Sequence, residues 1–228
     1  MSLQTKRISA FTVDSYSTLL DVDSAAAALA GWVSDPDRVA AVWRQQSLDY
    51  ATTCNFIGHY QTFYELNHAA LTYALAREGI RPGREKIREA LAVYHDLQPF
   101  PDVRSGIARL RELDYPVYVV SNGDPDMLQS LLKDANIDDV VSGVVSVHEI
   151  RRYKPAVEIY QHAAARMRLP TWAIAHVSAG WFDVAGAMHA GMQGVWMNRK
   201  DVPIEAFGPF PAPDLTVKDF GALIRSLS

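Results

Sequence analysis

Residues 8–14 have the sequence ISAFTVD, a mostly apolar run that ends on the carboxylate of Asp14. Short apolar runs of this kind, bounded by turn residues, are typical of strands that are buried on both faces in a parallel sheet. A carboxylate at the end of such a strand is costly to bury unless it is paired or hydrogen-bonded. The run therefore predicts a central strand with Asp14 at its end, although Asp14 alone also fits a residue that only stabilises a turn.

Further along the chain, similar apolar runs alternate with segments of helical spacing. This alternation predicts an α/β protein with a Rossmann-like, doubly wound parallel sheet. The predicted strands are at residues 8–13, 117–120, 140–141 with 144–145, 173–177 and 194–197, and the helical segments between them are at 107–113, 127–135 and 159–167.

The stretch from about residue 24 to residue 98 has helical periodicity and no convincing strand. Pro99-Phe100-Pro101-Asp102 follows it, and proline pairs disfavour the continuation of a helix. We therefore predict a core domain made of residues 1–20 and 99–228, with an inserted α-helical cap subdomain at residues 21–98.

Composition narrows the possible partners and locations. The chain has 228 residues, 49% of them hydrophobic and 21% charged, which is ordinary for a globular protein. Its net charge of -4 comes without a basic run, so we expect no nucleic-acid partner. Cys54 is the only cysteine, and no apolar stretch approaches the roughly 20 residues of a membrane span. We expect a cytoplasmic protein with no membrane partner.

Three later strand ends or adjoining loops also carry polar residues, and ligands bind at the carboxyl ends of the strands in such sheets. Each has a plain structural interpretation when it is taken alone: a helix cap at Ser121 or Asn122, a solvated Lys154, and an Asp183 that complements a helix dipole. Together with Asp14, however, they form a set of four polar strand ends in chain order, which favours a shared site.

The motifs that contain these residues resemble those of the haloacid dehalogenase superfamily, and within it the (S)-2-haloacid, or L-2-haloacid, dehalogenases. Residues 14–19 (DSYSTL) are similar to the family's D-A-Y-G-T-L, and residues 121–123 to its S-N-G loop. Lys154-Pro155 with Tyr160 resembles the K-P-x-x-x-x-Y element, residues 177–183 its last acidic loop, and Trp43-Arg44-Gln45 the W-R-Q segment of its cap.

The resemblance implies a hydrolase that forms an ester between Asp14 and C2 of a short 2-haloalkanoic acid. Arg44 would face the departing halide, because a delocalised cation suits developing negative charge. Lys154 would pair with Asp14 and Asp183. The implied catalytic residues are Asp14, Thr18, Arg44, Lys154, Ser178 and Asp183, and the implied substrate or halide contacts are Tyr16, Gln45, Phe63, Ser121, Asn122, Tyr160 and Phe182.

The same resemblance implies no cofactor, a small-molecule 2-haloacid substrate and a homodimer. We expect no metal, because Tyr16 stands where a magnesium-dependent phosphoryl-transfer site of this type needs a second carboxylate, and the seven histidines show no paired ligand spacing. Two positions depart from the family pattern, which commonly has Gly at Ser17 and Asn at Gly180. Ser17 matters only if that position needs a positive φ angle, and Gly180 removes an amide from the acidic loop.

Other functions stay open at this point. They are a phosphatase of the same superfamily, a hydrolase that opens a strained C–N bond in a small cyclic amino acid, and a catalytically silent protein that binds small carboxylates. Whether fluoride can be the leaving group is also open.

Overall fold

The computed structural model describes residues 3–227. Residues 1, 2 and 228, where the predicted core domain begins and ends, lie outside the described residues. The described chain forms a parallel sheet whose strands are β1 (Ala10–Val13), β2 (Val117–Ser121), β3 (Gly143–Ser146), β4 (Ile174–Ser178), β5 (Gln193–Met197) and β6 (Leu215–Val217). Their order in the sheet is β3-β2-β1-β4-β5-β6, which is a doubly wound arrangement. The predicted fold class is confirmed.

Strand β1 lies in the middle of the sheet because its side chains are apolar or small enough to be covered on both faces. All four of its residues are buried, and it pairs with β2 through Phe11 and Val117 and with β4 through Thr12 and His176. Two details differ from the sequence prediction. Residues 140–141 belong to the turn before β3, and β6, which has only three residues, was not predicted.

Between β1 and β2 the described chain is helical. Helices α1 (Pro36–Ile57), α2 (Phe63–Arg77) and α3 (Arg84–Leu91) are flanked by 3-10 segments at Val22–Leu29 and Ala92–His95. Helix α1 begins where the Asp35 carboxylate accepts a bond from the Arg38 amide, and ends at Gly58 with a φ of 68°. Helix α2 begins with a capping box between Thr62 and Glu65.

Of the remaining helices, the first precedes β2, the next three connect successive strands from β2 to β5, and the last follows β6. They are α4 (Val103–Glu112), α5 (Pro125–Asp134), α6 (Val157–Met167), α7 (Trp181–His189) and α8 (Phe220–Arg225). Helix α7 follows β4 directly, so its first turn lies at the carboxyl end of the sheet beside Asp14. Within residues 3–227, no helix is both long enough and apolar enough to cross a membrane.

The helical segment leaves and rejoins the sheet domain at one place. Leu20 forms a bridge to Pro99, and the Asp21 amide donates to the Gln98 carbonyl at 2.8 Å. These contacts support our proposal that residues 21–98 are a helical cap inserted into a core of residues 1–20 and 99–228. A second attachment is made by Asp124, whose carboxylate accepts the backbone amides of Phe63 and Tyr64 at the start of α2.

Candidate active site

Asp14 is held at the end of β1 by contacts to both carboxylate oxygens. Lys154 Nζ donates to Oδ1 at 2.6 Å, and the Thr18 hydroxyl donates to Oδ2 at 2.9 Å. The Asp14 amide continues the sheet by donating to the Val177 carbonyl. Asp14 is 8% exposed and lines a cavity, so the carboxylate is fixed in direction and still reachable by a small molecule. This is the arrangement that a carboxylate nucleophile needs.

Lys154 is a buried ammonium group shared by two carboxylates. Its Nζ lies 2.6 Å from Asp14 Oδ1 and 2.8 Å from Asp183 Oδ2, and it also donates to the Val120 carbonyl at 2.9 Å. Burial alone would lower the pKa of Lys154, but the two carboxylates outweigh it and raise the pKa overall. The lysine therefore carries its charge at neutral pH and compensates both acids.

Asp183, in the first turn of α7, is engaged on both oxygens. The Tyr160 hydroxyl donates to Oδ1 at 2.6 Å, while Oδ2 receives Lys154 and also lies 3.1 Å from His176 Nε2. Burial alone would raise the pKa of Asp183, but Lys154 and His176 hold it well below its usual range. Burial, together with the charge of Asp183, raises the pKa of Tyr160. Asp183 is therefore an ionised anchor for Lys154.

The cavity in front of Asp14 has a volume of about 360 Å³ and lies between the strand ends and helices α1 and α2. That volume suits a small molecule. Predicted site residues that line it, besides Asp14 and Lys154, are Tyr16, Arg44, Phe63, Asn122, Ser178, Phe182 and Asp183.

Tyr16 forms the aromatic wall of this cavity. Its ring stacks on Phe63 with a centroid distance of 5.4 Å and also contacts Tyr94. Its hydroxyl is buried and has no hydrogen-bond partner among the described residues. Burial raises the pKa of Tyr16, so the hydroxyl keeps its proton and can donate. A buried donor without a partner is costly, and a substrate or halide that accepts from it would remove that cost.

Arg44 projects from α1 into the same cavity, while its neighbour Trp43 anchors the helix. Trp43 is fully buried, donates from its indole nitrogen to the Asn67 carbonyl at 3.1 Å, and packs on Tyr94. Arg44 and Tyr94 also line a neighbouring cavity together. Burial raises the pKa of Tyr94, and the guanidinium of Arg44 opposes that rise. Tyr94 was not predicted as a site residue, because it lies outside every motif that the sequence analysis used.

Four predicted site residues do not line the cavity. Thr18, Ser121 and Tyr160 lie behind it: Thr18 bonds Asp14 and the Ala179 amide, Ser121 bonds the Ser15 hydroxyl and the Gly123 amide, and Tyr160 bonds Asp183. These three can orient cavity residues without touching a ligand.

Gln45 differs from the sequence expectation in a simpler way. It is exposed, and its amide donates to Asp49 at 2.8 Å on the outer side of α1. Successive residues of a helix are rotated by about 100°, so Gln45 does not reach the cavity in front of Asp14, although it lines a neighbouring cavity together with Arg44. Leu48, four residues after Arg44, lines the cavity instead.

Both departures from the family pattern have structural consequences. Ser17 adopts a φ of 67°, a left-handed conformation that costs a residue with a side chain about 1 kcal/mol or more. Gly180 is the N-cap of α7 with a φ of -78° and makes no side-chain cap. A Cβ at this position would lie 3.2 Å from Phe182 Cε1, so a larger residue would require the Phe182 ring to shift slightly.

Arg199, which lies after β5, is a cavity-lining residue that the sequence analysis missed. Its guanidinium donates to the Thr18 carbonyl at 3.1 Å and forms an ion pair with Asp102, and it lies 4.2 Å from the centroid of the Phe100 ring. It thereby fixes the loop that carries Thr18. Among residues 3–227, no group of three or more His, Cys, Asp or Glu side chains is placed to hold a metal ion.

A strand-end carboxylate, a buried lysine shared with a second acid and a helical segment over a small cavity together form the arrangement expected of a hydrolase that uses an aspartate nucleophile. The model of the haloacid dehalogenase-like hydrolases matches residues 8–191, and the chain belongs to this family. It is 31% identical to (S)-2-haloacid dehalogenase 1 of Pseudomonas sp. (strain CBS-3), over 89% of this chain and 90% of that protein.

Two further relatives have informative names. The chain is 28% identical to haloacetate dehalogenase H-2 of Moraxella sp. (strain B), over 98% of this chain and 99% of that protein. It also superposes on the structure of L-2-haloacid dehalogenase from Xanthobacter autotrophicus with chloropropionic acid covalently bound. That match has a TM-score of 0.88 and 28% identity and covers 96% of this chain and 97% of the other. The predicted family is therefore confirmed.

Proposed function

We propose that this protein hydrolyses short 2-haloalkanoic acids, such as haloacetates and (S)-2-halopropionate, to 2-hydroxy acids. The observation that carries this proposal is the Asp14 carboxylate, fixed by Lys154 and Thr18 and directed at a small cavity that contains Arg44 and the unpartnered Tyr16 hydroxyl. The names of the relatives support the same substrate class.

In the first step, Asp14 Oδ2 attacks C2 of the substrate from the side opposite the halogen, so that Oδ1, which accepts from Lys154, becomes the carbonyl oxygen of the ester. The C–O bond forms as the C–halogen bond breaks, the halide leaves with the bonding electron pair, and C2 is inverted. The product of this step is an ester between Asp14 and the substrate carbon. Arg44 and the Tyr16 hydroxyl can stabilise the departing halide, because both line the cavity and supply N–H or O–H groups to a developing negative charge.

In the second step, water attacks the carbonyl carbon of the Asp14 ester. The oxygen of that water stays in the Asp14 carboxylate, and the original carboxylate oxygen leaves in the hydroxyl of the product. One proton of the water goes to that leaving oxygen, and the other is released to solvent. Lys154 Nζ, 2.6 Å from Asp14 Oδ1, is placed to stabilise the negative charge that develops there. Asn122 holds the Lys154 segment in place, because its side-chain oxygen accepts the Lys154 amide at 3.0 Å.

A halide-release screen tests this proposal. The substrates are fluoro-, chloro- and bromoacetate and both enantiomers of 2-chloropropionate, without added metal, with Asp14→Asn as the matched control. We expect halide release with preference for the (S) enantiomer, and none from the control. No halide from any of these substrates, or release of phosphate from phosphomonoesters only with Mg²⁺, would overturn the proposal.

We also propose a homodimer in the cytoplasm. Exposed apolar side chains at the end of α1, where Phe56 is 85% and Ile57 66% exposed, support the dimer. Light scattering on the purified protein should give twice the mass of the chain, and a monomer at all concentrations would contradict this.

A further inference from the structure

His176 is a buried titratable residue that the reaction described above does not use. It lies in the middle of β4 and is fully buried. One ring nitrogen, Nδ1, lies 2.9 Å from the Thr12 hydroxyl of β1, and the other, Nε2, lies 3.1 Å from Asp183 Oδ2. The edge of the ring packs on Tyr160 with a centroid distance of 5.4 Å. His176 therefore contacts Asp183 and also Tyr160, whose hydroxyl donates to Asp183.

The Thr12 hydroxyl determines which ring nitrogen carries the proton. That hydroxyl has two possible acceptors, His176 Nδ1 at 2.9 Å and the thioether sulfur of Met192 at 4.0 Å. A thioether is a weak acceptor, so the hydroxyl donates to Nδ1. A neutral imidazole then has its proton on Nε2, which faces the carboxylate of Asp183. The opposite tautomer would place a lone pair against that carboxylate.

The contact between Nε2 and Asp183 is close but not well aligned for a hydrogen bond. Asp183 Oδ2 already accepts from Lys154 at 2.8 Å, and Oδ1 accepts from Tyr160. The positive end of the Nε2–H bond of His176 therefore attracts the Asp183 carboxylate, in addition to Lys154, which is its principal partner. Because His176 offsets part of the negative charge of Asp183, Asp183 attracts the ammonium group of Lys154 less strongly.

That consequence matters most after the ester has formed. Asp14 then no longer carries a negative charge, so Asp183 is the only carboxylate bonded to Lys154, and it attracts the ammonium away from Asp14 Oδ1. We propose that His176 is a positioning residue for ester hydrolysis: by holding Asp183, it keeps Lys154 on Asp14 Oδ1, where charge develops when water attacks. This inference rests on the proposed function.

Three substitutions at His176 separate this role from a purely structural one. The amide nitrogen of Gln lies where Nε2 lies in histidine, whereas that of Asn lies near Nδ1, and Leu supplies neither. We expect ester formation to give a first burst of halide, and the slower ester hydrolysis to limit the phase that follows. His176→Leu and His176→Asn should slow ester hydrolysis about fivefold to tenfold and change the burst by less than about twofold. His176→Gln should restore hydrolysis to within about twofold of the wild type.

Rapid-quench halide measurement and the mass of the trapped Asp14 ester give the two rates, and thermal melts report folding. Equal loss of burst and slow phase, or a Gln variant no better than Leu, would overturn the proposal. Thr12→Val is a second test that leaves His176 in place. It removes the donor to Nδ1, so it should slow hydrolysis and leave the burst unchanged, and no change in hydrolysis would contradict the proposal.

A measurement that needs no turnover keeps this inference separate from the proposed function. Nitrogen-15 NMR of histidine-labelled wild type should show a proton on Nε2 of His176, the nitrogen that faces Asp183. A proton on Nδ1 alone would overturn the positioning role even if halide is released. Conversely, failure of every haloacid in the screen would refute the proposed function without changing the tautomer.

Discussion

Replacing Lys154 by methionine tests the electrostatics of the site most severely. The change keeps a long unbranched side chain but removes Nζ, which donates to Asp14, to Asp183 and to the Val120 carbonyl. It therefore leaves two buried carboxylates near each other with no cation between them. Removing one partner of a buried ion pair typically costs about 3–5 kcal/mol. Because Asp14 borders the cavity and water can reach it, we expect the lower end, about 3 kcal/mol at neutral pH.

The pH dependence of this loss has a definite sign. In the wild type, the pKa of Asp183 lies well below its usual range, so its ionised form contributes stability above about pH 4 that is lost as the pH falls further. Without Lys154, no ammonium group offsets the cost of burying the two negative carboxylates, so protonation of one of them stabilises the variant. The variant should therefore be closer to the wild type at about pH 5 than at about pH 8.

Urea unfolding at these two pH values measures the effect, with Lys218→Met as the matched control. Lys218 forms an exposed ion pair with Asp201, in which the side chains are 68% and 78% exposed. Such pairs contribute little, so the control should unfold like the wild type. A Lys154→Met loss no larger than that of the control, or a loss that grows as the pH falls, would refute the reasoning.

Three further predictions concern the reaction. Arg44→Lys should slow halide release by at least about tenfold, because the lysine ammonium lacks the planar group of donors, while thermal melts should show little loss of stability; equal loss of both would make Arg44 a structural residue. Gly180→Asn should raise the rate of the slow phase of halide release by up to about tenfold, and should stabilise α7 by a few tenths of a kcal/mol because Asn can cap its first turn. Slower ester formation in this variant would instead show that the shifted Phe182 ring crowds the cavity. EDTA should leave halide release unchanged, because Tyr16 stands where a second carboxylate would bind Mg²⁺; activity lost in EDTA and restored by Mg²⁺ would contradict this.

The sheet could be predicted from the sequence because its strands are apolar on both faces. Strand β1 and the end of β2 are the best examples, since each apolar run stops at a polar residue at the carboxyl end of the sheet. Strand β6 could not be predicted, because three residues give too little pattern to distinguish a strand from a loop.

The site was only partly predictable because a motif gives spacing but not direction. Arg44 and Gln45 are neighbours in the sequence, yet only Arg44 lines the cavity in front of Asp14. His176 was missed for another reason. It lies within an apolar strand, and its importance depends on Asp183 and Thr12, which reach it only when the sheet has formed.

The central claim is that Asp14 attacks the substrate carbon, and a single turnover in ¹⁸O-labelled water tests it most directly. Excess protein is mixed with chloroacetate, the product is isolated, and the peptide that contains Asp14 is weighed by mass spectrometry. We predict that the heavy oxygen enters the Asp14 carboxylate and that the hydroxyl of the first product is unlabelled. Label in the product hydroxyl, with none in Asp14, would show direct attack by water on C2 and would contradict the account.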